Sequence, residues 1–272
     1  MSESSYSFKT QSIGLSSVAN ARELGGYVLP DGRTIKRGLL LRGAALNRLS
    51  DIDYRKLVDE YKVSMVFDFR TKLETDKAPD MEIEGVTRMW LPAFNEDTMK
   101  LDLPSLPKEA FKDMGKFLIQ NASNPGIQAA ARDIYAGMVL NEFTQVQYAG
   151  FLQNIVSNQE GAIYWHCSQG KDRTGLGAAV LLTALGADRK LIMEDFSISN
   201  EFYAFMLDPL ICQVHTPEEK AVLQTFIGVN CDYFSEALDM IEKEYGSLMD
   251  YVKGPLCLSD NDIETLRERY LE

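Results

Sequence analysis

A short run of this sequence brings together several side chains that can do chemistry. The run reads WHCSQGKDRTGLG, from residue 165 to 177, and it holds one of the four cysteines and one of the two histidines of the whole chain. Cys167 is followed within it by Lys171, Asp172 and Arg173. A cysteine in such a place can be a buried filler, half of a disulfide, a metal ligand or a nucleophile. The residues around it must distinguish between these uses.

The cysteine and histidine content argues against a disulfide framework and against a metal cage. The two histidines are His166 and His215, and the spacing of the cysteines suits no common zinc pattern. A disulfide framework is typical of much shorter secreted chains. We therefore expect no bound metal and reduced thiols, with three further cysteines filling the core: Cys212, Cys231 and Cys257.

The residues on either side of Cys167 predict a loop between a strand and a helix. GAIYWH is a short apolar run typical of a buried strand, and TGLGAAVLLTALG is typical of a helix that ends at Gly186. In a tight loop of this kind the backbone N–H groups point inward, and the helix N-terminus faces the same centre. Gly170 suits the sharp turn. With Arg173, the loop is suited to bind a tetrahedral dianion such as phosphate.

The positive field that favours a phosphate also favours a cysteine thiolate. A cysteine at a helix N-terminus beside cationic groups is a strong nucleophile for this reason. One arrangement therefore serves both a bound phosphoryl group and the thiolate that attacks it. We predict that Cys167 is such a nucleophile rather than a buried structural thiol.

The segment HCSQGKDRTG fits the signature H-C-x5-R-[ST], and in this the chain resembles the cysteine-dependent phosphatases, the protein tyrosine and dual-specificity enzymes. The resemblance implies that Cys167 is the nucleophile and Arg173 the phosphate-binding arginine. It implies that the hydroxyl of Thr174 helps the thiolate to leave when the phospho-cysteine is hydrolysed, and that His166 orders the loop and tunes the thiol. It also implies a phosphate cradle of backbone amides, which includes those of Ser168, Gln169, Gly170 and Lys171.

Further segments resemble a bacterial subgroup, the secreted mycobacterial phosphatase B and its relatives, which act on proteins and phosphoinositides. ANARELGGY is similar to the N-F-R-D-L-G-G opening of that subgroup, with Ala21 in place of an aromatic residue and Glu23 in place of aspartate. RGAALNRLSDIDYRKL, VFDFRTKLE and the K-D-R of the loop are also similar. The resemblance spans residues 19 to 200, about two-thirds of the chain. It implies a phosphorylated protein or a phosphoinositide as substrate, inorganic phosphate as product and no cofactor.

A carboxylic acid close to the scissile oxygen must supply a proton to the leaving group. The best-known tyrosine phosphatases carry this aspartate on a separate loop before the nucleophile, but the segment WLPAF has Ala93 where an acid is needed. Asp172 lies within the loop, as does an aspartate in myotubularin-type lipid phosphatases, and we expect it to be the acid. Asp68 of FDFR is the alternative, although Asp68 and Arg70 are more often an ion pair that supports the site from a strand end.

Three other residues are candidates for binding or support. Lys171 places a second cation at the loop, which would suit a substrate with more than one phosphate. The alternative interpretation is that the Lys171 side chain extends into solvent and binds no substrate. Asn20 and Arg22 lie in the first segment of the resemblance, and we expect them to brace the loop.

The elements that must hold this loop alternate between strands and helices. KVSMVFDFR predicts a buried strand that ends at Asp68, and Ser50 with Asp53 predicts the start of the helix before it. This order indicates an α/β fold with a parallel or mixed sheet. We expect a phosphatase-like twisted central sheet flanked by helices, with a helical insertion near the active site.

The chain of 272 residues is predicted to form a single domain. Residues 1–17 are polar and predict a loose arm. Residues from about 95 to 157 form the predicted helical insertion, because apolar and aromatic side chains recur there at three- and four-residue steps. Such a stripe is typical of a helix core face, and the sharper hypothesis is that the insertion shelters the active site.

Charge and hydropathy limit the partners. The chain has 28 basic and 40 acidic side chains and a net charge of −12, which argues against nucleic acid and anionic membranes as main partners. No apolar run approaches the roughly 20 residues that cross a bilayer, so no stable membrane insertion is expected. MSESSYSFKTQSIGL lacks the apolar core of a signal peptide. We expect a cytoplasmic protein. Export by a route that needs no signal peptide is the alternative.

The function that the sequence predicts is metal-independent hydrolysis of a phosphomonoester through a phospho-cysteine. Phosphotyrosine is the expected substrate, with phosphoserine, phosphothreonine and phosphoinositides as further candidates. One alternative is a catalytically weak protein that binds phospho-ligands. The other is a thiol enzyme that resembles arsenate reductases, which usually needs a resolving thiol nearby, whereas Cys212 lies 45 residues further on.

Overall fold

A computed structural model of the protein describes residues 6–94 and 114–272. Its described strands form one sheet in the order β1-β2-β5-β3-β4. The first pair is antiparallel, and all the other neighbours are parallel. This arrangement confirms the predicted α/β class with a mixed sheet. The strands are β1 Arg22–Glu23, β2 Leu40–Gly43, β3 Val63–Asp68, β4 Thr87–Trp90 and β5 Ala162–His166.

Helices connect and follow these strands. In the described parts of the chain, no helix is long and apolar enough to cross a membrane. The first helices are α1 Phe8–Gln11, α2 Asp51–Arg55, which continues as a π-helical turn over Lys56–Glu60, and α3 Lys72–Lys77. Those before the last strand are α4 Met114–Asn121, α5 Pro125–Leu140 and α6 Glu142–Ser157. Those after it are α7 Asp172–Leu185, α8 Arg189–Ile211, α9 Pro217–Phe226, α10 Cys231–Tyr245, α11 Leu248–Lys253 and α12 Asp260–Tyr270.

The central strand β5 is buried along its whole length. Ile163 and Trp165 pack in one hydrophobic core with residues of α6 and α7. Ala162 and Tyr164 pack in a second core with residues from the N-terminal segment and from around α2. Side chains alternate between the two faces of a strand, so both faces of the sheet are covered. β5 consequently reads as a continuous apolar run, which is how the sequence revealed it.

Three parallel strands end side by side at the place where the loop begins. His166 of β5 is in register with Gly43 of β2 and with Asp68 of β3. The segments that follow parallel strands emerge at the same edge of a sheet, and this edge is where α/β folds bind ligands. The loop after β5 therefore lies between the segments that follow β2 and β3.

The N-terminal segment is packed rather than loose from residue 6 onward. The buried side chain of Gln11 donates hydrogen bonds from Nε2 to the carbonyl oxygens of Glu23 (3.1 Å) and Gly25 (3.0 Å). Ile13 and Leu15 are buried in the second core. The predicted loose arm was thus wrong for these residues, because a few buried side chains anchor a stretch of polar composition. Residues 1–5 of that arm lie outside the described chain.

The described part of the predicted helical insertion forms α4, α5 and α6, whereas residues 95–113 lie outside the described chain. The long helical pattern is broken at Asn141, which adopts an extended conformation and caps α6. Its side-chain oxygen accepts hydrogen bonds from the backbone nitrogens of Phe143 (2.9 Å) and Thr144 (3.3 Å). The apolar periodicity continues across this cap, so periodicity alone did not reveal two helices.

Candidate active site

The loop that carries the cysteine lies between β5 and α7. Residues 167 to 171 form this connection, called the Cys167 loop below. Gly170 has a φ of +67°, and a Cβ at this position would lie 2.2 Å from the carbonyl carbon of Gly43. Only glycine fits so close an approach in this conformation. The sharp turn expected at Gly170 is therefore imposed by contact with the end of β2, and it leaves Cys167 only 2% exposed.

Carbonyl oxygens of the Cys167 loop are bound from outside by side chains. The carbonyl of Gly170 accepts hydrogen bonds from Asn20 Nδ2 (2.8 Å) and Arg42 Nη2 (3.0 Å). The carbonyl of Lys171 accepts a longer bond from the same Arg42 nitrogen (3.3 Å). In a trans peptide the N–H of the next residue points opposite to the carbonyl. These bonds therefore favour amide groups directed to the inside of the loop.

A buried charge network holds Asn20 and Arg42 in place. Asp195 of α8 accepts from Arg22 Nε (3.2 Å), Arg42 Nη1 (2.5 Å) and the hydroxyl of Tyr27 (2.9 Å). Arg22 also donates to Asn20 Oδ1, which turns the Nδ2 group of Asn20 toward the loop. Burial alone would raise the pKa of Asp195, but the two arginines keep it below its ordinary value. Two cations against one carboxylate leave the network with a positive charge behind the loop.

Arg173 is held by Glu74 in a two-pronged ion pair. Its Nη1 lies 2.6 Å from Glu74 Oε2 and its Nη2 lies 2.8 Å from Oε1. Oε1 also accepts from Ser168 Oγ (2.5 Å), and Oε2 from the backbone nitrogen of Thr71 (2.8 Å). Burial alone would raise the pKa of Glu74, but the Arg173 guanidinium holds it well below its usual range. Nη1 also donates a long hydrogen bond to the carbonyl oxygen of Phe69 (3.5 Å). The guanidinium is thereby fixed in direction, and it has five N–H donors in all with which to hold these partners and an anion.

Asp172 is the first residue of α7, and its side chain is partly exposed. Oδ1 accepts a hydrogen bond from the hydroxyl of Tyr135 on α5 (2.8 Å). Oδ2 lies 3.5 Å from Lys171 Nζ. The carboxyl is thus held by a neutral phenol on one oxygen and faces one ammonium with the other.

Asp68 has a different environment at the end of β3. Oδ1 accepts from the backbone N (3.0 Å) and Nε (2.9 Å) of Arg70, and Oδ2 accepts from Arg70 Nη2 and Arg88 Nη2, each at 2.8 Å. Burial alone would raise the pKa of Asp68, but Arg70 and His166 lower it to about 2. The ion pair expected at this strand end is present. A carboxylate bound this firmly is poorly suited to donate a proton.

His166 extends this buried network toward Cys167. Its Nδ1 lies 3.2 Å from the carbonyl oxygen of Cys167, and its Nε2 lies 3.0 Å from Asp80 Oδ2. Asp68, Asp80 and His166 are close enough to share a cation. Arg70 and Arg88 already neutralise both carboxylates, however, because each guanidinium contacts Asp68 and Asp80. The donor set is therefore an ion-pair network that backs the Cys167 loop, and it fits a metal poorly.

Lys171 points away from solvent. Its Nζ donates to the carbonyl oxygens of Thr225 (2.8 Å), in the last turn of α9, and of Gly228 (2.6 Å), between α9 and α10. Burial lowers the pKa of Lys171, whereas the nearby Asp172 carboxylate raises it. The substrate-binding role expected for Lys171 remains a prediction, and its ammonium has structural partners instead.

Three further predicted residues lie in or next to the Cys167 loop: Ser168, Gln169 and Thr174. Ser168 bonds to Glu74, as described, and the Gln169 carbonyl accepts from the hydroxyl of Tyr203 on α8 (2.7 Å) while its side chain is exposed. Thr174 is fully buried, and its Oγ1 has no hydrogen-bond partner among residues 6–94 and 114–272. An unpartnered hydroxyl at the start of α7 is consistent with a role toward the nucleophile or its ligand.

Several side chains at the site were not predicted from the sequence. Glu74 had a local signal, because Thr71-x-x-Glu74 is a capping box, and the structure contains that box at the start of α3. Tyr135 was counted only as part of an apolar stripe, although its hydroxyl reaches Asp172. The other residues missed are Arg42, Asp80, Tyr148, Asp195 and Tyr203.

Tyr148 links α6 to the start of α7. It is fully buried, and its hydroxyl donates to the carbonyl oxygen of Arg173 (2.7 Å). With Tyr135 of α5, it gives two contacts from the predicted insertion to residues around the Cys167 loop. These contacts show which part of the helical stretch approaches the site.

The other cysteines differ from the prediction that they fill the core. Cys212 and Cys257 are exposed, and Cys231 is partly buried in α10. The prediction was wrong for the two exposed residues, since both follow helices at positions that face solvent. All four cysteines are free thiols.

Comparison with known proteins gives a consistent assignment. The sequence pattern of the tyrosine phosphatase family matches residues 13–272. A Cupriavidus necator protein that bears a tyrosine-protein phosphatase name is 27% identical over 263 residues, 95% of this chain and 88% of that protein. A tyrosine-protein phosphatase of Nostoc commune is 28% identical over 162 residues, 60% of this chain and 48% of its own length. The triple specificity protein phosphatase PtpB of Mycobacterium tuberculosis is 24% identical over 238 residues, 80% of this chain and 86% of its own.

Proposed function

The chain belongs to the tyrosine phosphatase family, and on that premise we propose that it hydrolyses phosphomonoesters through a phospho-cysteine at Cys167, without a metal ion. The observation that carries this proposal is the pairing of Cys167 with a fixed guanidinium. Cys167 follows the central strand, and Arg173 is held six residues later by the two-pronged contact with Glu74. An anion that binds between the loop amides and Arg173 would lie beside the cysteine sulfur.

Binding of the phosphoryl group would use the backbone and Arg173. The amides of residues 168 to 173 and the N-terminus of α7 offer donors and a favourable dipole to the three non-bridging oxygens. Arg173 adds a charged fork. This preorganised positive field stabilises the charge that develops in the transition state. It supplies what a metal ion supplies in other phosphatases.

In the first step, the Cys167 thiolate would attack phosphorus and form an S–P bond. The P–O bond to the leaving group breaks, and the electron pair of that bond remains on the oxygen. Asp172 donates its proton to this oxygen, so an alcohol or phenol departs. The enzyme is left with a phospho-cysteine and an ionised Asp172.

In the second step, water would attack the phospho-cysteine. The Asp172 carboxylate accepts a proton from the water, an O–P bond forms and the S–P bond breaks. Cys167 leaves as a thiolate, and the buried hydroxyl of Thr174 is suited to stabilise it. The products are inorganic phosphate and the starting enzyme with Asp172 protonated again.

The proposed substrate is a phosphorylated protein, with phosphotyrosine first. Cys167 is only 2% exposed. Because the sulfur lies deep, a long aryl phosphate is favoured as the substrate that reaches it. A phosphoinositide with several phosphates would need more cations at the mouth of the loop. Lys171, the cation offered by the sequence for that purpose, is turned to backbone carbonyls instead. Phosphoserine, phosphothreonine and phosphoinositides are therefore compared with phosphotyrosine in the experiments below.

The test measures phosphate release from an aryl phosphate and a phosphotyrosine peptide in the presence of a metal chelator. Turnover is expected to survive chelation and to be lost in Cys167→Ala. Cys212→Ala, which removes an exposed thiol, is the matched control and is expected to retain activity. Activity that survives Cys167→Ala would overturn the mechanism. Tight phosphopeptide binding without turnover would instead favour the binding-protein alternative, and thiol-dependent arsenate reduction without phosphate release would favour the reductase alternative.

A second panel compares the phosphotyrosine peptide with phosphoserine peptides and with singly and multiply phosphorylated inositol lipids. We expect the highest kcat/KM on phosphotyrosine. A preference for a multiply phosphorylated lipid would overturn the substrate proposal while leaving the cysteine mechanism in place.

A further inference from the structure

The hydroxyl of Tyr135 makes a contact that the reaction steps above do not use. We propose that Tyr135 is a positioning residue for the proton donor Asp172, and that its hydrogen bond determines which carboxyl oxygen delivers the proton. The inference rests on the proposed function, in which Asp172 is the acid. It adds a residue from the helical segment to the proton-transfer step.

The direction of the hydrogen bond follows from its partners. Tyr135 Oη accepts from the backbone nitrogen of Asn230 (3.2 Å) and lies 2.8 Å from Asp172 Oδ1. A backbone N–H can only donate, so it occupies an acceptor position of the phenol oxygen. The single phenolic proton is then directed to Asp172 Oδ1. The proton that Asp172 carries must accordingly lie on Oδ2.

The ring of Tyr135 is fixed by neighbouring aromatic side chains. Phe196 of α8 and Phe234 of α10 each approach it edge-on, with ring centroids 6.0 Å away. These two rings stack on each other at 3.8 Å. Three helices therefore hold the hydroxyl in place, and Tyr135 is fully buried. A fixed donor holds Asp172 in one rotamer more firmly than water could.

The charges around Asp172 are compatible with this division between the two oxygens. Lys171 Nζ lies 3.5 Å from Oδ2, but it also donates to two backbone carbonyls and is anchored there. Burial raises the pKa of Tyr135 well above its ordinary value, and the Asp172 carboxylate raises it further. The phenol therefore keeps its proton at working pH and always acts as donor. Arg173, next in sequence, is occupied by Glu74.

The proposal makes a prediction that depends on the leaving group. A phenol of low pKa leaves without a proton, so the position of Asp172 does not matter for its phosphate ester. A poor leaving group such as tyrosine needs the proton in the transition state. Loss of the Tyr135 hydroxyl would let the carboxyl rotate, and it would slow the second class of substrate selectively.

The experiment compares kcat for an activated nitrophenyl phosphate and for a phosphotyrosine peptide in Tyr135→Phe. We expect about a tenfold loss on the peptide and less than about a twofold loss on the activated ester. Tyr251→Phe is the matched control, because Tyr251 is also buried and its hydroxyl donates to the Val139 carbonyl of the same helix α5 (2.8 Å). It is expected to change both rates equally. Thermal unfolding reports whether each variant is folded.

Asp172→Asn separates this inference from the proposed function. The variant should show the same selective loss, and more strongly. If it shows no selectivity, Asp172 is not the acid and the proposed mechanism fails at that step. If Asp172→Asn is selective but Tyr135→Phe slows both substrates equally or neither, the positioning role is wrong and the mechanism stands.

Asp172→Glu provides a second variant, at a partly exposed position that is expected to tolerate the change. It keeps an acid, but the longer side chain cannot keep both its place and the contact with Tyr135. A selective loss on the peptide is expected again. An unchanged ratio of the two rates would show that the position of the carboxyl is irrelevant, and it would overturn the proposal even if Tyr135→Phe does not fold.

Discussion

Two aspartates lie near the Cys167 loop, one at the end of β3 and one at the start of α7, and their surroundings differ in charge. Asp68, at the end of β3, is fully buried and receives hydrogen bonds from Arg70 and Arg88. Asp172, at the start of α7, receives its hydrogen bond from the phenol of Tyr135 and is partly exposed. The first carboxylate is held ionised, with a pKa of about 2. The second has no arginine among its contacts in the described parts of the chain.

The difference teaches that the same residue type is assigned opposite tasks by its neighbours. Asp68 cannot take up a proton without weakening its ion pairs with Arg70 and Arg88, which would then share Asp80 alone. It therefore contributes a permanent charge. In the proposed mechanism, the sheet side of the loop therefore supplies fixed charges, and the helical side supplies Asp172 as the proton donor.

The largest effect is expected from Asp172→Asn. Loss of general acid catalysis lowers rates by roughly 10²- to 10⁴-fold, so kcat on a phosphotyrosine peptide should fall within that range. The position is partly exposed, and the unfolding temperature should hardly change. Steady-state kinetics and thermal unfolding on the same preparation check both points. A small change in kcat with a large loss of stability would contradict the prediction, because it would give Asp172 the structural role that is assigned here to Asp68.

Glu74→Gln should have the next largest effect. The amide keeps the size of the side chain but can no longer hold the guanidinium of Arg173 with two charged hydrogen bonds. A misplaced arginine costs roughly 10- to 100-fold in kcat/KM. The effect should appear equally with good and poor leaving groups, because Arg173 binds the phosphoryl group rather than the leaving oxygen. Selectivity for the leaving group in this variant would contradict the division between the two sides of the loop.

Asp68→Asn should act on stability more than on chemistry. Removal of one partner of a buried ion pair costs about 3–5 kcal/mol. Here Arg70 and Arg88 lose Asp68 but keep Asp80, so the free energy of unfolding, measured with urea, should fall by an amount near the lower end of this range. The kcat of the folded fraction should fall less than in Asp172→Asn. A larger loss of kcat here, selective for poor leaving groups, would make Asp68 the acid.

The smallest effect concerns pH. The pKa of Asp68 is about 2 in the folded protein, against roughly 3.9 in an unfolded chain. The unfolded chain therefore binds more protons in acid, and stability rises with pH. This group contributes about 2–3 kcal/mol above roughly pH 5, and the contribution disappears as the pH falls through 2.

Urea titrations between about pH 6 and pH 3 check this prediction by comparing the protein with Asp68→Asn. The difference in unfolding free energy between the two proteins should narrow as the pH falls, because the proton neutralises the carboxylate that the variant lacks. A difference that stays constant over this interval would mean that Asp68 is not held ionised by its arginines.

The sequence predicted the parts of the site that lie close together in the chain. Cys167 lies in the loop, and Asp172 and Arg173 lie in the first turn of α7 directly after it. The strand before the loop reads clearly as an apolar run, and the helix after it as a helix that ends at Gly186. The buried ion pair of Asp68 and Arg70 is also local, two residues apart. The conformation of such a segment is determined locally, because a short connection between a strand and a helix can adopt few conformations.

Residues that reach the site from distant parts of the chain were harder to predict, because each of them also fits an ordinary structural role in its own helix. Tyr135 sits in an apolar stripe that fits a helix core, and only the fold shows that its hydroxyl reaches Asp172. Asp195 is one acidic residue of a helix with several, and its burial between Arg22 and Arg42 depends on packing across the chain. Glu74 is the exception, because its capping box could have been recognised locally.

The most direct test of the account is to trap the covalent intermediate. The protein is mixed with an activated aryl phosphate that carries a radiolabelled phosphoryl group, quenched rapidly in acid and digested for peptide mapping by mass spectrometry. The account predicts label and one added phosphoryl group on the peptide that contains Cys167, formed at the rate of the initial burst of phenol and absent in Cys167→Ala. Label on another residue, or turnover without any labelled peptide, would contradict it.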